Sequence, residues 1–412
     1  MIPTERGNRA GGWLRTLLVF LAALAVYAGS AQIVQRFRPG QAYFPALAAA
    51  FLDGRLHLAN PRDVHDLTEH NGRWYVPFPP LPALLMLPWV AFAGAKATNP
   101  VWFSIVFSAV SVAAVDRLLH ELARRGWIAL RGGGRLWLTA LFAVGCVNWY
   151  VSLHGAVWQM GQVCTLVFIA LAAWLAAAYA SPWPTATALA LALLGRPNVI
   201  FIWPLLAGIA AQRFRDAEGR LDRGRWLRWC ACSCVPLALS VGALLWYNRA
   251  RFENPLDFGY ARQNVDVSLR ERIAHHGLFS LHYVPTNARV MFAGLPKWQP
   301  QRPWLRPDDV GMSIFLTTPA LVYLVLARRR DPLTLGAWLA AGLLLAPLLT
   351  YYNTGWMQFG YRFLLDLILP LVVLLAIAAR QRVSWLMRTL ILLGVVVNAW
   401  GVLWTFTPWL GE

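Results

Sequence analysis

Apolar residues fall in long blocks separated by short basic or turn-rich intervals, and the blocks recur from residue 13 to residue 408. They cover roughly 13–34, 80–95, 100–118, 136–152, 160–180, 183–195, 198–212, 229–247, 310–327, 332–350, 363–379 and 389–407. The longer blocks reach the ~20 residues that a helix needs to cross ~30 Å of hydrocarbon. Backbone groups in lipid must pair within the chain, and the alternation of a barrel strand is absent, so each block predicts a helix. The expected fold class is all-α, a polytopic transmembrane helical bundle.

The arginines between the blocks decide which of them cross. Arg6, Arg9 and Arg15 put the N-terminus in the cytoplasm. If all twelve blocks crossed, four short basic blocks would lie outside: Arg124/Arg125/Arg131/Arg135, the six arginines from Arg213 to Arg228, Arg328–Arg330, and Arg380/Arg382/Arg388. Removing one early crossing corrects all four. The block to remove is 80–95, which is short and carries Pro80, Pro82 and Pro88 behind Pro77 and Pro79. It is expected to lie on the outer membrane surface or to re-enter it. About eleven spans remain, with the C-terminus outside. Two long outward loops follow, 35–98 and 248–309, with short outward turns near 153–159, 196–197 and 351–361. Residues 13–30 end in a signal-peptide-like Ala28-Gly29-Ser30-Ala31; an uncleaved first span is expected. No separate soluble domain, internal repeat or low-complexity tail is expected.

Composition agrees with the pattern. The chain has 412 residues, is 58% hydrophobic and 14% charged, and carries a net charge of +18. In a soluble protein that charge would suggest nucleic acid. Here it sits between apolar spans as a topology signal, and no nucleic-acid partner is expected. Only Lys96 and Lys297 are lysines. Cys230, Cys232 and Cys234 spread around a helix with no histidine nearby, and are read as small apolar residues, not a metal cluster.

Candidate chemistry gathers in the outward segments. Tyr43, Phe44, Leu47 and Phe51 form one apolar stripe of a short surface helix that Gly54 can stop. Next come Asp63, His65, Asp66, Glu69, His70, Arg73, Trp74 and Tyr75. A carboxylate here can deprotonate a hydroxyl. Asp66 is the first choice, then Asp63 and Asp53. The alternative is a solvated loop whose acids pair with Arg62 and Arg73. No cofactor is demanded; a divalent cation (Mg or Mn) held against a phosphate by the same carboxylates is the other use. The second loop supplies Tyr260, Gln263 and Arg289 for sugar hydroxyls and phosphate oxygens, or equally for lipid headgroups. Arg362 and Asp366 sit at i, i+4, so Arg362 can grip a phosphate with Asp366 orienting it, or the two can be a structural pair. Arg196, in the turn Gly195-Arg196-Pro197-Asn198, is the other arginine placed for a phosphate. Tyr361 adjoins Arg362, and His154 and Gln159 lie in a short outward turn with Trp158.

The layout resembles the GT-C superfamily of membrane glycosyltransferases, in particular bacterial relatives of protein O-mannosyltransferases (glycosyltransferase family 39-like). The likeness lies in a first span and a large outward loop with the Tyr43–Gly54 helix. It continues in Tyr75-Val76-Pro77-Phe78-Pro79-Pro80-Leu81-Pro82, the joint at Gly195-Arg196-Pro197 and the late Gly360-Tyr361-Arg362. It implies a catalytic transmembrane module over 1–380 and a C-terminal transmembrane helix in 381–412. It also implies a polyprenyl-phosphate-sugar donor, inverting transfer and an acidic base in the first loop. The acid that family members often carry at the start of the first loop helix is missing from Pro39-Gly40-Gln41-Ala42-Tyr43. The base therefore lies elsewhere in the loop, or the chemistry is lost. The expectation is a glycosyltransferase of a bacterial inner membrane working on the periplasmic side, with the acceptor (glycan, lipid or protein) open. A transporter or flippase of a lipid-linked or small polar substrate, and a non-catalytic membrane scaffold, are the alternatives.

Overall fold

The computed structural model describes residues 4–34, 41–131, 133–355 and 357–406. The start of the first outward loop, with Pro39 and Gly40, and the chain after Phe406 lie outside the described residues. The fold is mostly helical, 68% helix with few strands. In chain order the helices are α1 Thr4–Ile33, α2 Phe44–Leu52, α3 Leu81–Ala93, α4 Pro100–Arg124, α5 Gly134–Val144, α6 Asn148–Ser152, α7 Val157–Ala178 and α8 Pro182–Leu193. They continue as α9 Trp203–Arg213, α10 Arg223–Phe252, α11 Val267–His276, α12 Val284–Ala293, α13 Ile314–Thr317, α14 Pro332–Thr350, α15 Leu364–Ala378 and α16 Trp385–Phe406. Two tighter helical stretches, Pro197–Ile202 and Pro319–Leu326, lead into α9 and follow α13.

Among the described residues six helices are long and apolar enough to cross a membrane: Gly12–Ile33, Pro100–Arg124, Val157–Ala178, Arg223–Phe252, Pro332–Thr350 and Trp385–Trp404. The other apolar blocks are shorter or broken. Block 136–152 divides into α5 and α6, and block 310–327 divides at Thr318. All fifteen residues of α15 are buried, as expected of a helix apolar on every side. Helices α9 and α14 cross at Gly208 and Gly336. A Cβ on Gly208 would run into the Pro332 carbonyl and come within 3.2 Å of Gly336 Cα. Small residues at a crossing let two backbones approach, and packing then supplies the attraction that lipid does not.

The arginine-rich connections collect at one end of the bundle. Arg125 donates to the Ala178 carbonyl at the C-terminus of α7 (3.0 Å), and Arg213 donates to the Ala177 carbonyl beside it. Arg329 donates to the Trp127 carbonyl (3.0 Å), the Arg131 amide donates to the Gln381 carbonyl (2.9 Å), and Arg15 pairs with Asp116 (3.4 Å). Asp116 pairs with both Arg135 (3.1 Å) and Arg15, while Arg117 lies over the Trp13 ring.

The two long loops form a cap at the other end. Helix α3 lies beside α2, and the two share a small apolar core with the start of α7. It contains Phe44, Leu47, Leu67, Val76, Leu81, Met86, Val157 and Met160. Phe92 and Trp89 on the far side of α3 stay exposed. Strands β1 Thr68–His70 and β2 Arg73–Tyr75 pair antiparallel around Asn71-Gly72, both at positive φ, the two-residue turn that matches strand twist. A second hairpin, β3 Lys297–Trp298 with β4 Leu305–Arg306, lies in the second outer loop.

Candidate functional site

The two long loops are tied together, and the tie sets Asp66. The Asp66 amide donates to the Asn264 carbonyl, and the Asn264 amide donates to the Leu67 carbonyl (both 2.8 Å). Thr68 Oγ1 donates to the Gly259 carbonyl at 3.0 Å. Gly259 holds φ +81°, and a Cβ there would strike the Phe252 ring, so glycine is required by both backbone and space. Gln263 Nε2 donates to both the carbonyl and the Oδ1 of Asp66, each at 3.1 Å. Asp66 itself sits at φ +62°, an uncommon setting for a residue other than glycine. Its carboxylate is buried. Burial raises its pKa above the ordinary carboxylate range, while His65, Trp158 and Arg362 pull it partly back.

Two guanidiniums belong to the same site. The Leu81 amide donates to the Leu194 carbonyl (2.8 Å), which seats α3 on the turn that presents Arg196. Arg196 donates to Asp366 Oδ2 through Nη2 (2.7 Å) and Nε (3.2 Å), and Asn198 donates to the same oxygen (2.8 Å). Arg362 is held differently. Its Nη1 donates to Gln162 Oε1 (3.2 Å), its amide donates to Gln358 Oε1 (3.0 Å), and Gln162 Nε2 donates to its carbonyl (3.1 Å). Among the described residues no carboxylate lies within ion-pair distance of Arg362. Burial first, and Arg196 second, push its pKa down to about 10, which leaves it charged at neutral pH.

These groups line one cavity of about 770 Å³. Asp66, His65, Trp158, Arg196, Asn198, Asp257, Tyr260, Gln263, Asp266, Tyr351, Tyr352, Asn353 and Arg362 form its polar part. Leu256, Leu278, Phe279, Pro347 and Leu348 form an apolar side at the C-terminal end of α14. Burial holds Tyr260, Tyr351 and Tyr352 above the ordinary phenol range, so each keeps its hydroxyl proton for donation. Volume, apolar lining and few convergent polar groups are those of a small-molecule site.

The other expected site residues fall elsewhere. Asp53 ends α2 at the surface and pairs with Arg55. Asp63 accepts the His65 amide (2.9 Å) and lines a separate cavity of about 450 Å³ with Tyr43. Tyr43 donates to the His65 carbonyl (2.7 Å). Trp74 is paired in β2, and Tyr75 packs against the His57 and Phe252 rings. His154 Nδ1 lies 2.9 Å from the Tyr150 carbonyl, and Gln159 and Tyr361 are buried behind the cavity wall. Arg289 is exposed on α12, outside the lining. The i, i+4 link of Arg362 with Asp366 is corrected: α15 begins only at Leu364, so Arg362 precedes the helix and Asp366 serves Arg196. Sequence reasoning passed over Gln162, Asn198, Tyr351, Tyr352 and Asn353. The Tyr351-Tyr352-Asn353 run directly after an apolar span was visible; Gln162, a neutral amide within one, was not.

Among the described residues no three His, Cys, Asp or Glu side chains converge on a point that could hold a metal ion. Asp66, Asp257, Asp266 and His65 line the cavity together with Arg196 and Arg362. Comparison with known protein families, with characterised proteins and with solved structures finds no match.

Proposed function

We propose that the chain is an inverting glycosyltransferase that takes a sugar from a polyprenyl-phosphate donor at the outer face of a bacterial inner membrane, in the manner of the GT-C enzymes it resembles. One observation carries the reading: a buried carboxylate, Asp66, and two guanidiniums, Arg196 and Arg362, line the same cavity from opposite loops. The apolar side at Leu348 and Phe279 suits a lipid-borne substrate, and Trp158 and Tyr352 suit a sugar face. The arginine-rich connections lie at the far end of the bundle, which supports a cytoplasmic position for them and an outward cavity. The reading takes eleven passes, counting the short and broken helices beside the six long ones.

Asp66 is the base. It takes the acceptor hydroxyl proton as the oxygen attacks the anomeric carbon. The bond to the phosphate oxygen breaks, and the charge left on the phosphate falls to Arg196 and Arg362. A single displacement inverts the centre. Asp366 and Asn198 fix Arg196, and Gln162 and Gln358 fix Arg362, so the anion site is formed before the donor arrives.

Retention of undecaprenyl phosphate by the detergent-purified protein, read by native mass spectrometry, tests the anion site. Arg362→Gln is expected to weaken retention by roughly 10–100-fold, the value of one charge-assisted contact. Equal retention by wild type and variant removes Arg362 from the phosphate and with it this reading of the cavity.

A further inference from the structure

We infer that His65 is the proton exit of the Asp66 carboxylate, linking the buried base to the outer solution. This deepens the transfer reading above and rests on it. His65 Nε2 lies 3.6 Å from Asp66 Oδ2, within ion-pair range and a small ring rotation from a hydrogen bond. The Asp66 side chain is 9% exposed and that of His65 is 50% exposed, so the pair runs from interior to surface. The His65 backbone is held on both sides, by Asp63 at its amide and Tyr43 at its carbonyl. Its imidazole is the part left to move.

A base that accepts one proton per transfer must lose it before the next. The titratable and charged groups around the pair are Asp63, Tyr43, Arg362, Tyr260, Tyr352 and Asp266. Arg362 has no site for an incoming proton, and the three phenols are protonated already. Asp63 and Asp266 lie beyond His65: Asp63 bonds its amide, and Asp266 feels its charge at the exposed rim. Among the described residues His65 alone joins direct contact with Asp66 to solvent access and a ring that can accept a proton at one nitrogen and release one from the other. In the transfer the Asp66 O–H bond breaks as an Nε2–H bond forms. The imidazolium then gives its Nδ1 proton to water and a ring flip or tautomer shift resets it. No electron pair leaves the system and no co-reactant is needed.

The test uses the full-length protein in phosphatidylcholine–phosphatidylglycerol nanodiscs and no substrate. After a pH jump from about 4 to about 8, across the ordinary carboxylate and imidazole ranges, time-resolved infrared spectroscopy follows loss of the protonated carboxyl band that Asp66→Asn abolishes. His65→Gln is expected to slow that loss about a hundredfold or more, the low end of proton-transfer contributions, and added imidazole is expected to restore it. His65→Asn is measured alongside, so misfolding of one variant does not decide the result. Loss as fast in either folded variant as in wild type overturns the proposal, as does slowing that imidazole leaves uncorrected. The outcome is separable from the transfer reading, which fails on its own if Asp66→Asn leaves sugar transfer unchanged.

Discussion

Asp66 combines features that favour chemistry over stability. It is buried, sits at positive φ and faces Arg362 across the cavity. Its folded-state pKa is raised, so its ionised form costs stability once pH rises above the unfolded carboxylate value, and that cost grows through the folded value. Asp66→Asn is therefore expected to melt higher than wild type at pH 7, with the difference vanishing towards pH 4; a lower melting temperature at pH 7 argues against a strained, ionised base. For turnover the sign is the reverse. The ionised form is the active one, so the acidic limb of the rate profile should fall above the ordinary carboxylate range of about 4. At this scale the sequence showed the right types but not all partners. Asp66, Arg196 and Arg362 stood out as charges next to apolar runs. Asp366 was matched to Arg362 by helical spacing, which fails because the helix starts two residues too late.

Among the elements, the apolar stripe of α2 and the Pro-rich α3 were legible, because period and proline each act locally. The β1–β2 hairpin was not, although Asn71-Gly72 is a strong turn pair, because three-residue strands give too little alternation to register. The clasp of Gln263 and Asn264 on Asp66 was equally hidden, since it joins positions nearly 200 residues apart. Helix packing gives a sharp test. Gly208→Val forces the α9–α14 crossing apart and is expected to destabilise by about 1–3 kcal/mol, whereas Gly29→Val, with nothing within 4 Å of its Cβ, serves as the silent control. Thermal unfolding in detergent reads both, and equal melting of the two variants contradicts the close crossing.

For the whole molecule the account requires two unlike ends. The arginine blocks predicted one of them from sequence, because each block acts on topology where it lies. The cavity could not be read the same way: it needs Asp66, Tyr260, and Tyr352 with Arg362, from three separate loops, and only the packed cap brings them together. In a cysteine-free background, Glu218→Cys and Asn254→Cys report the two ends, both being exposed. A membrane-impermeant maleimide applied to intact spheroplasts is expected to label residue 254 and spare residue 218. The reverse pattern puts the cavity on the cytoplasmic side.

The role of Asp66 is tested by sugar transfer from undecaprenyl-phosphate-linked mannose, glucose and arabinose in proteoliposomes supplied with solubilised cell-envelope glycans, lipids and proteins as acceptors, scored as undecaprenyl phosphate released. Wild type is expected to release it from at least one of the three, and Asp66→Asn to release it roughly 10²–10⁴-fold more slowly, the usual contribution of a positioned base. Release by Asp66→Asn at the wild-type rate, or no release by wild type from any of the three, contradicts the account.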